Sequence, residues 1–158
     1  MVPFSLLILT VTMYVGASPS GTGGGLKSTT ISALYAYTKS TLGLRKEVSL
    51  CGNVIPVYRI SSALTTVLFY TFIAFGGIYC IGLFEPDHVD FLKISFEAVS
   101  ALATAGLTSG ILSEITVGSK IVLILLMYIG RVGVITFGNA LLARKYPHPA
   151  KTTDDMAV

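Results

Sequence analysis

The sequence contains few charged residues, and this shortage determines its class. Asp, Glu, Lys and Arg make up 12% of the 158 residues, whereas hydrophobic residues make up 53%. A soluble domain carries about 25% charged residues. The mean hydropathy of +0.76 agrees with the low charge. The composition therefore excludes an ordinary soluble domain and predicts an integral membrane protein.

Tryptophan is absent and cysteine is rare. Without Trp, an aromatic belt at the membrane interface would have to use the eight Tyr and eight Phe residues. Cys51 lies in a basic polar stretch and Cys80 in an apolar run. Because these surroundings suggest different depths, we expect two unpaired thiols rather than a disulfide.

Residue groups that carry enzymatic chemistry are also missing. His88 and His148 stand alone, without the spacing of metal ligands. The stretch GTGGGLKS resembles a phosphate-binding loop, but that loop needs Gly directly before its Lys-Ser pair, and position 26 is Leu. We therefore expect no enzyme and no cofactor. The basic segment 26–60 is explained by membrane topology, so we expect no nucleic-acid partner.

The first apolar run, residues 2–17, is not preceded by Lys or Arg. A secretory signal normally begins with such a charge, so we interpret the run as structure, although residues 15–17 resemble a cleavage site. The run is shorter than the roughly 20 residues of a spanning helix. The next stretch, 18–25, cannot form a stable helix because it contains four glycines, Gly21, Gly23, Gly24 and Gly25. We predict a broken membrane helix over 1–37 with a gating loop at 18–25; an ordinary loop outside the bilayer is the alternative.

Two longer apolar stretches predict membrane crossings. Residues 61–84 contain no charge, and residues 121–143 contain only Arg131. Basic loops tend to be cytoplasmic, and the flanking segments 26–60 and 144–151 are both basic. We therefore predict a cytosolic linker at 38–60, a helix–loop–helix unit at 61–143 and a cytosolic tail at 144–158.

The segment between these helices does not fit a third crossing. A helix over 91–103 would be only about 20 Å long, and Gly106 and Gly110 oppose its continuation. We predict a re-entrant pore loop whose helix points its negative carboxyl end inward. A loop that merely packs between helices is the alternative. Backbone oxygens of such a loop can replace the hydration shell of a cation. The predicted selectivity filter is Thr104, Ala105, Gly106, Leu107 and Thr108, with a cation held at the first three.

Three polar features accompany this loop. The stretch 85–119 is acidic and would concentrate cations at the outer mouth. Glu97 lies two helical turns before the filter, so we expect it to hold the loop by hydrogen bonds rather than to bind the ion. Arg131, placed at the centre of a predicted spanning helix, needs a polar neighbour. We expect it to act as an electrostatic barrier or as a cross-link to the carbonyls of the glycine loop.

The runs SFEAVSALATAGLTSGI and SKIVLILLMYIGRVGVITFGNALLAR resemble the fourth repeat of the Trk/Ktr/HKT superfamily of potassium transporters, of the KtrB/TrkH type. The upstream run YVGASPSGTGGGLKSTT resembles the last helix of the third repeat, including the Lys27 that follows its glycines. The resemblance implies an all-α potassium-channel-like fold with Gly106 as the filter glycine. It also implies a gate formed by residues 18–25 with Arg131 as its partner. Gly21 and Gly23 depart from the family pattern.

The same resemblance implies a function and partners. It implies uptake of K⁺, with Na⁺ possible, across the cell membrane, by a dimer with a cytosolic nucleotide-binding regulatory subunit of the KtrA/TrkA type. One repeat cannot enclose a pore, so the chain is a fragment or assembles with other chains that supply the remaining repeats. A non-conducting scaffold is one alternative. A homotetrameric two-helix channel is the other, although the filter lacks a TVGYG-like sequence.

Overall fold

The computed structural model describes residues 3–16, 24–43, 49–50, 53–54, 56–85 and 89–143. Several predicted features lie outside these ranges: Gly21, Gly23, Cys51, Asp87, His88 and the tail 144–158. In chain order the described helices are α1 (Pro3–Val15), α2 (Ser28–Leu42), α3 (Val57–Phe84), α4 (Phe91–Leu102), a 3-10 turn (Ile111–Ser113), α5 (Val117–Val132) and α6 (Val134–Ala143). A short antiparallel pairing of β1 (Ser49–Leu50) with β2 (Asn53–Val54) lies in the predicted linker.

Helix α3 is the longest helix in the described part of the chain. It has 28 residues, which corresponds to about 42 Å at 1.5 Å per residue and exceeds the thickness of a bilayer core. Large apolar side chains such as Leu68, Phe72 and Phe75 are exposed on its surface. The apolar helix predicted at 61–84 is therefore confirmed, and it begins four residues earlier than expected, at Val57.

The second predicted crossing is not one continuous helix. Helices α5 and α6 meet at Gly133, and their axes differ in direction by 95°. Gly133 has a φ of +90°, a backbone conformation that only glycine adopts readily. The prediction of a single helix over 121–143 was wrong because apolarity reports burial and not the direction of a helix axis. Arg131 consequently lies in the last turn of α5 and not at the centre of a spanning helix.

Helix α4 lies in the middle of the described structure. All residues from Phe96 to Leu102 are buried. One side of α4 packs with Leu6 and Met13 of α1, and the other packs with residues of α3 and α5 such as Tyr70 and Leu126. The helix has 12 residues, or about 18 Å, so it is too short to cross a bilayer, as expected.

The two ends of α4 are fixed by specific contacts. Asp90, the N-cap residue of this helix, accepts a hydrogen bond from the Leu92 amide over 3.3 Å. At the other end, α5 approaches so closely that a Cβ on Gly130 would lie 2.0 Å from the carbonyl oxygen of Leu102. Only glycine permits this backbone contact, which fixes where the chain leaves α4.

Candidate functional site

The residues that follow α4 adopt an unusual backbone conformation. Thr104 has a φ of +51° and Gly106 has a φ of +73°. Both values lie in the left-handed region, which glycine enters freely and β-branched residues resist. The helix ends before Gly106, as the glycines at 106 and 110 predicted. The left-handed Thr104 had no signal in the sequence, because Thr is not a residue type that favours this region.

Glu97 holds the far end of this loop. Its Oε1 atom accepts hydrogen bonds from the Thr108 hydroxyl at 2.7 Å, the Ser109 amide at 2.7 Å and the Ser109 hydroxyl at 2.9 Å. The side chain is buried, with 5% of its surface exposed. A buried carboxylate needs such donors, and the expectation that Glu97 fixes the loop by hydrogen bonds is confirmed.

Ser100 holds the middle of the loop one helical turn further on. Its hydroxyl donates to the Leu107 carbonyl over 2.6 Å and accepts from the Leu107 amide over 3.1 Å, and its own carbonyl accepts from the Ala105 amide over 3.0 Å. This role of Ser100 was not predicted. Its position three residues after Glu97, on the same helix face, was the signal that could have identified it.

Together these contacts define the path of residues 104–109. Leu107 lies level with Ser100, and Ser109 lies level with Glu97. The chain therefore turns at the end of α4 and runs back along the same helix.

The opposite edge of the loop is open. Ala105, Gly106, Leu107 and Thr108 are exposed, and a Cβ on Gly106 would meet no atom within 4 Å. Among the described residues, no hydrogen bond uses the carbonyl oxygens of Thr104, Ala105 or Gly106. An adjoining cavity of about 560 Å³ is lined by loop residues together with Met127, Tyr128 and Arg131. The three positions predicted to hold K⁺ therefore have backbone oxygens available as ligands.

The described end of the glycine stretch lies against the beginning of this loop. The Gly24 amide donates a hydrogen bond to the Thr104 hydroxyl over 2.8 Å. A Cβ on Gly24 would lie 3.0 Å from the carbonyl oxygens of Leu102 and Ala103. The absence of a side chain at Gly24 thus allows the glycine stretch to reach the end of α4.

The two segments that flank residues 17–23 also contact each other. The Leu26 amide donates to the Tyr14 carbonyl over 3.4 Å. A Cβ on Gly16 would lie 2.4 Å from the Leu26 carbonyl oxygen, and one on Gly25 would lie 2.9 Å from the Gly16 Cα. Gly16 and Gly25 therefore allow two backbone segments to cross closely next to α4.

A second cavity, of about 490 Å³, brings several predicted gating residues together. Its lining includes Gly24, Gly25, Lys27 and Arg131. Lys27 is also the N-cap of α2, so the positive end of that helix dipole adds to the two side-chain charges. The described lining of this cavity contains no acidic residue.

Glu85 joins the ends of α3 and α5. Its Oε1 accepts from the Thr116 amide at 2.9 Å, the Thr116 hydroxyl at 3.1 Å and the Ser119 hydroxyl at 2.5 Å. Thr116 is the N-cap of α5, where a negative charge is favourable. The sequence indicated Glu85 only as one member of an acidic stretch. The structure gives it a specific contact that sets the start of α5 beside the end of α3.

Known proteins similar to this chain are uptake proteins rather than enzymes. The chain is 32% identical over 151 residues to the Ktr system potassium uptake protein B of Vibrio alginolyticus, covering 96% of this chain and 32% of that protein. It is 35% identical over 134 residues to the protein of the same name from Bacillus subtilis, covering 85% of this chain and 29% of that protein. It is 34% identical over 141 residues to the potassium/sodium uptake protein NtpJ of Enterococcus hirae, covering 87% and 31%.

The chain spans about a third of the length of these curated relatives. The family described as TrkH, cation transport protein, matches residues 1–152. This match includes α4, the loop after it, the glycine stretch and the bend at Gly133. The chain belongs to the TrkH family of cation transport proteins.

Proposed function

We propose that the chain forms part of the conduction pathway of a potassium uptake protein in the cell membrane. Its similarity to proteins named for the uptake of potassium, or of potassium and sodium, supports K⁺ as the transported ion, with Na⁺ as a second possibility. Helix α3, and α5 with α6, belong to the membrane-embedded unit 61–143, and α4 enters between them as a re-entrant pore helix.

One observation carries this proposal. The loop 104–108 is attached to α4 along one edge through Glu97 and Ser100, while its other edge is open. A selectivity filter needs a rigid backbone whose oxygens are not used by the protein itself. The loop is fixed along one edge, and among the described residues the carbonyl oxygens of Thr104, Ala105 and Gly106 accept no hydrogen bond, whereas that of Leu107 accepts one from Ser100. The loop also follows the carboxyl end of α4, whose dipole favours a cation.

The cavity lined by Lys27 and Arg131 supports a gate beside this filter. In the proposal the glycine stretch, including Gly21 and Gly23 as well as Gly24 and Gly25, obstructs the path from below. The positive charges on the cavity wall raise the barrier for K⁺ while the obstruction is in place. Displacement of the stretch would open the path.

An enclosed ion pathway needs further helices and pore loops besides the unit 61–143. We propose that the remaining repeats lie on the same longer chain or on other chains, and that the subunit forms a dimer regulated by a cytosolic nucleotide-binding subunit. Relatives named as components of a Ktr system support an assembly of several parts. The basic linker 38–60 and the tail 144–158 are placed on the cytoplasmic side by their charge.

A pair of glycine variants tests the filter. Gly106 and Gly110 both have left-handed φ values, +73° and +98°, and a Cβ at either position would meet no atom within 4 Å. Alanine therefore imposes similar strain at each, but only Gly106 lies in the proposed filter. In the transport-competent protein that contains this chain, we expect Gly106→Ala to reduce the preference of uptake for K⁺ over Na⁺ at least tenfold.

The control Gly110→Ala is expected to keep that preference within about twofold, since its strain falls outside the ion path. Uptake of K⁺ and Na⁺ is measured in cells and normalised to the amount of protein in the membrane. Equal effects of the two variants would contradict the assignment of the filter to 104–108.

A further inference from the structure

We propose that a cavity between α2 and the beginning of α3 binds a phosphate group, carried either by a phospholipid of the membrane or by a soluble phosphate compound. The cavity has a volume of about 610 Å³ and reaches Ile135 of α6. Its described lining shares no residue with the loop 104–108. The inference therefore does not depend on the proposed ion pathway.

Arg59 supplies the positive charge of this site. It lies in the first turn of α3, is exposed and lines the cavity. Its Nε donates to the Tyr58 hydroxyl over 3.3 Å, and in the described part of the chain its guanidinium makes no further hydrogen bond and no ion pair. The positive end of the α3 dipole adds to this charge. Because the described lining contains no Asp or Glu, the site favours an anion.

Hydroxyl groups on both helices supply further donors. Thr29 and Thr30 of α2 and Ser62 of α3 line the cavity, and among the described residues their hydroxyl protons have no acceptor. By contrast, the hydroxyls of Ser32 and Thr66 donate to the carbonyls of Thr29 and Ser62 over 3.0 and 2.6 Å. The cavity thus brings together one guanidinium and three hydroxyl donors that the described chain does not use.

This set of donors matches the acceptors of a phosphate group. Arginine binds two phosphate oxygens with its planar fork, and the remaining oxygens can accept from hydroxyls of both helices. Arg59 belongs to the linker 38–60 that we place on the cytoplasmic side, where basic pockets between membrane helices bind phospholipid head groups. Ile135 is exposed in the same lining and offers an apolar contact for an acyl chain.

The substitution Ser32→Cys reports whether the cavity is occupied. Because the Ser32 hydroxyl already donates to the Thr29 carbonyl, this change removes no unused donor. The transport-competent protein that contains this chain, without other cysteines, is purified in detergent and labelled with a maleimide. At about ten times the dissociation constant, short-chain phosphatidylglycerol or inorganic phosphate should slow labelling about tenfold by mass action.

Two controls accompany this measurement. Thr41→Cys is exposed on the same helix and lies outside the described lining, so its labelling rate should not respond to either probe. A diacylglycerol with the same acyl chains lacks the phosphate and should not protect Ser32→Cys.

Two matched pairs of variants, made in the Ser32→Cys background, identify the donors. Arg59→Gln should weaken binding of the protecting probe by at least about tenfold, because it removes charge-assisted hydrogen bonds. Lys39→Gln removes an equal charge outside the described lining and should change binding by less than about twofold. Ser62→Ala should weaken binding about two- to tenfold. Ser61→Ala should leave it unchanged, because the Ser61 hydroxyl donates to the Tyr58 carbonyl over 3.1 Å.

The outcomes separate the two sources of the phosphate group. Protection by phosphatidylglycerol alone identifies a lipid head group, whereas protection by inorganic phosphate shows that a soluble compound suffices. The inference is overturned if neither probe protects, if the diacylglycerol protects equally, or if Arg59→Gln or Ser62→Ala binds no more weakly than its control. Absence of K⁺ uptake would contradict the proposed function and would leave this binding result unchanged.

Discussion

At the scale of single residues, the loop 104–109 is held by side chains of one face of α4. Glu97 and Ser100 lie three residues apart on α4 and together contact Leu107, Thr108 and Ser109. Glu97 could be anticipated, because a lone acid in an apolar helix needs donors and the following loop is rich in them. For Ser100 the available signal was its position on the same helix face as Glu97. The left-handed Thr104 had no signal in the sequence, because its conformation depends on how the returning chain lies against the helix.

Replacing Glu97 should loosen the loop. Glu97→Gln keeps the volume of the side chain but removes the charge that strengthens its three hydrogen bonds, and a charge-assisted bond is worth about 1.5–3 kcal/mol against about 1 for a neutral one. We expect K⁺/Na⁺ preference to fall several-fold and the purified protein to unfold at a lower temperature.

The matched control is Glu114→Gln, which removes a charge from an exposed residue of the same acidic stretch. Its preference and thermal stability should stay close to those of the wild type. If Glu114→Gln and Glu97→Gln change the K⁺/Na⁺ preference equally, both acids act only through the negative charge of the outer mouth. That result would contradict the proposal that the hydrogen bonds of Glu97 maintain selectivity.

At the scale of elements, the position of the site depends on where helices touch. Helix α5 contacts the end of α4 through the backbone at Gly130, and Glu85 joins the start of α5 to α3. The lengths of α3 and α4 could be read from hydropathy and from the Asp90 cap. The 95° turn between α5 and α6 could not, because glycine is also common within continuous membrane helices.

The contact at Gly130 predicts a position-specific effect of alanine. A Cβ there would lie 2.0 Å from the Leu102 carbonyl oxygen, so Gly130→Ala must separate α5 from α4. We expect a loss of stability of several kcal/mol, in the upper range of overpacking effects, seen as a lower unfolding temperature in detergent and as reduced K⁺ uptake.

The control is Gly76→Ala in α3, where an added Cβ would meet no atom within 4 Å. Because alanine is favoured over glycine within a helix by about 1 kcal/mol, this variant should be as stable as the wild type or slightly more stable. Similar losses for both variants would show that the α4–α5 contact is not as close as described.

At the scale of the whole molecule, the arrangement of charge predicts a topology. The basic segment 26–60 and the tail are placed on one side of the membrane, and the acidic stretch 85–119 on the other. This topology is a prediction from charge alone. The predicted gating residues Gly21 and Gly23 and the predicted cytosolic tail 144–158 lie outside the described residues.

Cysteine labelling tests the topology. In a background in which Cys51 and Cys80 are replaced by Ser, an impermeant maleimide applied to intact cells should label Ser113→Cys and not Thr41→Cys. Both positions are exposed in the structure, so accessibility of the side chain is matched. After the cells are opened, both should react. Labelling of Thr41→Cys in intact cells would contradict the proposed cytoplasmic location of the linker.

The most direct test of the proposed selectivity filter is to locate the bound ion. Thallium, which substitutes for K⁺ and scatters anomalously, would be added to crystals of the transport-competent protein that contains this chain. We expect an anomalous peak from a thallium ion that is coordinated by backbone oxygens of Thr104, Ala105 and Gly106. Glu97 and Ser100 should hold the loop by the hydrogen bonds described above. A bound ion elsewhere in the pathway, with these oxygens turned away from it, would contradict the assignment of the selectivity filter.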